Sequence, residues 1–153
     1  MSKLLYALGA GIALLLAAGP SLAAGEAGTV KVIKGSVLVE RAGKRVPMTV
    51  GDRVMSGDRV ITGADGAVGI VLRDNTRLSA GPDSVLSLDK YSFDSTTHAG
   101  EIDASVRKGT LSVISGKVAA ASPDKVSFRT PTATLGVRGT EFVIEVADRG
   151  AGL

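Results

Sequence analysis

Apolar and polar positions alternate along most of this chain, in runs too short for helices and broken by Gly, Asp, Asn and Pro. Val30 and Val32 alternate with polar neighbours, Gly35 interrupts, Val37 and Val39 resume, and Ala42-Gly43 reads as a hairpin-like reversal. A second register runs through the centre. Val68, Ile70 and Leu72, then Thr76, Leu78 and Ala80, then Ser84, Leu86 and Leu88, recur at an offset of eight residues, each triplet predicting one inward face of a short strand. Asp74-Asn75 and Gly81 to Asp83 separate the triplets and suit turns. Hairpins and the arcs of a solenoid would place the same residues inward, so both remain open here.

Other segments extend this reading. Gly51-Asp52-Arg53-Val54 returns six residues later as Gly57-Asp58-Arg59-Val60, which predicts two successive turns with a valine re-entering the core after each. Asp94 to Glu101 is polar and reads as the longest surface loop, and Ser105 to Ser122 as two strands around Lys108-Gly109 and Ser115-Gly116. Lys125 to Thr130, Thr132 to Val137 and Thr140 to Val146 complete the sheet. Eighteen valines and twenty glycines agree with this, and no helix is expected in the mature domain. The prediction is a single all-β domain over residues 24–146, a compact β-roll or β-helix-like fold with a β-sandwich as the alternative, then a flexible tail over 147–153.

The first 23 residues stand apart from this pattern. Lys3, a sixteen-residue apolar run from Leu4 to Gly19 and small residues at Ser21 and Ala23 form a signal-peptide pattern; the run is shorter than the roughly 20 residues needed to span a bilayer. Cleavage after Ala23 would leave 130 residues without cysteine, hence without disulfides or a lipidated thiol. The expectation is a periplasmic or secreted domain with no stable membrane insertion.

Charge changes the picture little. The formal net charge is +3, but basic and acidic residues interleave, nine and eight over residues 24–89, and aromatics are 3% of the chain. A nucleic-acid binder would gather its cations into a stripe beside stacking aromatics, so nucleic acid is not an expected partner.

Candidate chemistry is equally sparse. His98 is the only histidine and lies in a polar segment, no Gly-x-Ser-x-Gly elbow occurs, and thiol mechanisms are excluded by composition. Asp52, Asp58, Asp65, Asp74 and Asp83 could be metal ligands or a carboxylate pair acting on cell-wall glycan. Each lies at a turn, where aspartate bonds nearby backbone N–H groups, and this is the preferred account. No catalytic residue, metal ligand or cofactor is assigned.

The stretch TPTATLGVRGTEF, Thr130 to Phe142, has the glycine spacing of a phosphate loop. It is followed by strand-like alternation at Phe142, Ile144 and Val146 where such a loop needs a helix N-terminus. It reads better as strand, turn and strand, with Pro131 fixing an extended start and Ala133, Leu135 and Val137 facing inward. Arg138 interrupts that apolar series, and a bidentate pair with Asp58, or second with Asp52, would explain it.

Together these residues resemble the FecR domain, a periplasmic module first named for a regulator of iron(III) dicitrate transport. The resemblance runs from Thr29 to Val146 and rests on Gly57, Asp58, Val60, Thr62 and Gly63, and on Thr130, Pro131, Ala133, Val137, Arg138, Gly139, Thr140 and Phe142. The family commonly has Asp-Gly-Ser where this chain has Asp74-Asn75-Thr76. FecR-type regulators place a cytoplasmic anti-sigma segment and a membrane helix before this domain, which then contacts a TonB-dependent receptor. Here the domain follows the signal-like segment directly. The resemblance thus implies an all-β, non-enzymatic domain for protein interaction or signal sensing, its partner another envelope protein, with the motif residues a fold signature.

Overall fold

The computed structural model describes residues 25–137 and 141–147. It is almost entirely β-strand. The strands are β1 (Glu26–Lys34), β2 (Val37–Arg41), β3 (Lys44–Pro47), β4 (Arg53–Met55), β5 (Arg59–Thr62), β6 (Ala67–Leu72), β7 (Arg77–Ala80), β8 (Val85–Phe93), β9 (Gly100–Ile114), β10 (Val126–Arg129), β11 (Thr134–Gly136) and β12 (Glu141–Val146). A short helix α1 (Lys117–Ala121) and a 3-10 turn (Pro123–Lys125) lie between β9 and β10.

These strands form one sheet in the order β3-β2-β5-β8-β9-β7-β6-β1-β4, curled into an open half-barrel. The fifteen-residue β9 is its spine. Its first part pairs with β8 on one side and, in the one parallel ladder among the described residues, with β10 on the other. Its last part lies between β7 and β12. The ladder partners change around Lys108 and Gly109, where φ is 87°. Valine, leucine and isoleucine from both ladders enter one buried cluster that includes Val60, Ile70, Leu78, Leu86, Ile102, Leu111, Val113 and Phe128. Full burial of each such side chain contributes about 1.5–3 kcal/mol before conformational entropy is counted.

All nine positions of the eight-residue register are buried, from Val68 to Leu88. The turns between them differ. Residues 73–76 close a hairpin, β6 pairing with β7, whereas Gly81 to Asp83 carries the chain out of that ladder so that β8 pairs with β5 and β9. Ala42-Gly43 forms the expected two-residue reversal, both residues at positive φ, joining Arg41 to Lys44. The GDRV echo forms two like turns: the Asp52 and Asp58 amides donate to the carbonyls of Thr49 and Met55, with Gly51 and Gly57 at φ 96° and 92°. Val54 and Val60 then enter the core as expected.

Three expectations are corrected. A bulge between Val30 and Val32 reverses the alternation, so Val30 is buried while Val32 is exposed. Lys108-Gly109 bends β9 without reversing it, because both sides of the bend find partners. The residues after Ser115 form α1, whose alanines favour a helix and which ends before Pro123. Asp94 to Ala99 is, as expected, the longest strand-to-strand loop among the described residues and is exposed throughout; the Asp94 amide donates to the Ala99 carbonyl at 2.8 Å, and Glu101 already pairs with Ser92 in the ladder. The Asp94 carboxylate accepts the Thr96 and Thr97 amides, which lowers its pKa.

Candidate functional site

The described residues among those singled out in the sequence fall in separate places, and Asp58, Thr62 and Thr130 are bonded within the fold. Asp58, in the turn just before β5, is 1% exposed and accepts the Met55 amide at 2.8 Å. Arg41, at the end of β2, closes a bidentate pair on it, Nε to Oδ1 at 2.7 Å and Nη2 to Oδ2 at 2.6 Å, and also donates to the Arg53 carbonyl. The hydrogen bond to Asp58 raises the pKa of Arg41 against the opposing effect of burial. Arg138, the partner expected for Asp58, lies outside the described residues with Gly139 and Thr140. Among the described residues Arg41 is the cation on Asp58.

At the far end of β5, Thr62 donates its hydroxyl to the Gly81 carbonyl at 2.6 Å and accepts the Ser84 amide at 2.8 Å. Gly63 donates to the Ser36 carbonyl and its own carbonyl accepts the Asp83 amide, so this end of β5 holds the crossing between ladders in place. Thr130 and Pro131 open the β10–β11 turn, in which the Ala133 amide donates to the Thr130 hydroxyl oxygen at 3.1 Å. Ala133 and Leu135 are exposed and only Val137 is buried, correcting the inward face expected there. Among the described residues β11 is a short edge strand that pairs with β10 alone. Phe142, on β12, meets Phe128 edge to face with ring centroids 5.3 Å apart.

A cluster around Asp74 has the highest density of polar contacts, although it read as an ordinary turn in the sequence. Its side chain is fully buried, and among the described residues the donors that reach it are two hydroxyls and two backbone amides. Oδ1 accepts from the Tyr91 hydroxyl at 3.0 Å and the Thr76 amide at 3.2 Å; Oδ2 accepts from the Thr76 hydroxyl at 2.7 Å and the Val118 amide at 3.0 Å. The Asp74 amide donates in turn to the Tyr91 oxygen, and its carbonyl accepts the Lys117 amide. Burial, then the charge of Asp74, raises the pKa of Tyr91 far above that of a free tyrosine. Gly116 lies so close to this turn that a Cβ there would overlap the Asp74 carbonyl. The available signal was the Asp-Asn-Thr tripeptide, at the position where the resembling family has Asp-Gly-Ser.

Two carboxylates do converge on the surface of β8, β9 and β10. Arg129 lies between them, its Nη2 3.2 Å from Asp89 and 3.0 Å from Asp103, and the Ser105 hydroxyl donates to Asp89. A shared guanidinium makes this a cross-strand ion network; a glycosidase needs one acid free to protonate a leaving group. A cleft of about 400 Å³ between Arg107, Thr130 to Thr132 and Glu145 to Ala147 contains one carboxylate and no histidine. No group of three or more His, Asp or Glu side chains suited to a metal occurs among the described residues.

The fold defines an all-β domain built on one curled sheet. The FecR protein family matches residues 58–153, well over half of the sequence, and the chain belongs to that family. A solved structure titled "Cell surface anchoring domain" is similar over 40% of this chain and 82% of its own length, at 32% identity and a TM-score of 0.39. No curated protein matches the chain.

Proposed function

We propose that this domain is an exported, periplasmic module that senses or relays a signal by binding another envelope protein. Membership of a family whose domains are non-catalytic and typically periplasmic supports this reading. The observation that carries it is the use of the motif's polar groups. Asp58, Thr62, Thr130 and the buried Asp74 are bonded within the fold, so what the domain offers outward is strand edges and isolated apolar side chains such as Val46, Val50 and Val143. We read the finer architecture as a β-roll, since both ladders share β9 and enclose one core.

Photocrosslinking from Val46, Leu135 and Val143 in cells, with identification of the adduct, tests the function. A specific envelope receptor or regulator is the expected product. Recovery of glycan alone, or of no adduct from any exposed position, overturns it.

A further inference from the structure

The four outer strands of the sheet are unequal. β3 has four residues, carries Lys44 and Arg45 and ends in Pro47, while β4 and β11 have three residues each. Short length, lysine and proline all discourage pairing with another chain. β12 has six residues and none of these features. It pairs with β9 from Glu141 opposite Ile114 to Val146 opposite Gly109, and among the described residues its other edge pairs with no strand.

Its side chains say what could be added there. Glu141, Val143 and Glu145 point outward, Val143 at 64% exposure, while Phe142, Ile144 and Val146 point toward the core and are buried or half-buried. A second copy added antiparallel about Val143 would set Glu141 opposite Glu145 of its neighbour, twice. Like charges directly opposed across a ladder are destabilising, so the edge is protected against self-association. We propose that the free edge of β12 receives a strand from a partner protein that reads basic, apolar, apolar, apolar, basic, its cations opposite Glu141 and Glu145 and its central residue beside Val143. This rests on the interaction reading above and specifies the surface and partner chemistry.

The probe is a capped peptide, Thr-Lys-Val-Val-Val-Lys-Thr, with a control in which both lysines are glutamate. Titration into the isotopically labelled protein should shift the amides of Glu141 to Val146, and the control should bind about tenfold more weakly, since two facing pairs change from attractive to repulsive. In a Glu141→Lys/Glu145→Lys variant that preference should reverse. An equimolar mixture of variant and wild type should form a 1:1 complex by light scattering while each alone stays monomeric. Equal binding of both peptides, no binding, or a wild-type dimer through β12 overturns the proposal. Peptide shifts confined to β3, β4 or β11, or cellular adducts from Val46 but none from Val143, overturn this surface and leave the interaction reading intact.

Discussion

Asp58 and Asp74 are both buried carboxylates, 1% and 0% exposed, and the fold compensates them in opposite ways. Asp58 meets a guanidinium whose side chain is half exposed, so part of its charge is answered by a cation in contact with water. Asp74 is held by two hydroxyls and two backbone amides from three parts of the chain. The difference shows what each joins. The Asp58 pair links the end of β2 to the β4–β5 turn, while Asp74 gathers the β6–β7 turn, β8 and the start of α1 around one atom group.

The largest effect that would sharpen this contrast belongs to Asp74. Asp74→Ala leaves four buried donors without their acceptor and should lower stability by about 4 kcal/mol in urea unfolding, counting charge-assisted bonds and unsatisfied donors. Asp74→Asn should recover only part of this, because an amide nitrogen cannot accept. If alanine cost less than Asp58→Ala does, the neutral cage would not be the tighter of the two.

Asp58→Ala should cost about 3 kcal/mol, at the lower end for breaking a buried ion pair because Arg41 can turn to solvent. Arg41→Met should cost less, and the double variant less than the sum of the two. Additive losses in that cycle would show that the close geometry carries no coupling, and would reopen Asp58 to Arg138.

How far these two sites could be read from the sequence also differs. The nine-position register was legible because every second residue from Val68 to Leu88 reports the same inward face, and Gly57-Asp58 was legible because glycine at positive φ followed by aspartate has few uses outside a turn. The partner of Asp58 was not. A bidentate pair spanning seventeen residues depends on which strands lie side by side, and Arg41 ends a strand whose neighbours the alternation does not name. Asp74 was placed at a turn correctly, but its burial follows from Gly116 and α1 closing over it, from a segment that read as strand. Val32 failed for a local reason: one extra residue at a bulge inverts the pattern that alternation assumes.

Tyr91 allows a test of the Asp74 side by pH alone. Its pKa in the folded chain lies above the ordinary value, so the folded state keeps a proton that the unfolded state releases above about pH 10. The associated stability is complete below that pH and declines as pH rises past it. Tyr91→Phe should cost about 2 kcal/mol at neutral pH, through the lost donor to Asp74 and the unpaired Asp74 amide, and should flatten the alkaline decline. A decline of unchanged slope in the phenylalanine variant would assign it to the lysines.

The smallest expected effect comes from the sequence twin of Asp58. Asp52 occupies the same Gly-Asp-Arg-Val turn and accepts the amide three residues back, from Thr49 at 2.8 Å, just as Asp58 accepts that of Met55. Asp52 is only half-buried, and among the described residues its carboxylate accepts from the Thr49 amide and hydroxyl and pairs with no guanidinium. Asp52→Ala should therefore cost about 0.5–1 kcal/mol, the range of a single solvated side-chain cap, against about 3 for the same change six residues later. Equal losses at the two positions would mean that the turn itself, common to both copies, carries the energy and that Arg41 adds nothing. A ratio near that expected would place the difference between two identical tetrapeptides in the strand that happens to lie beside one of them.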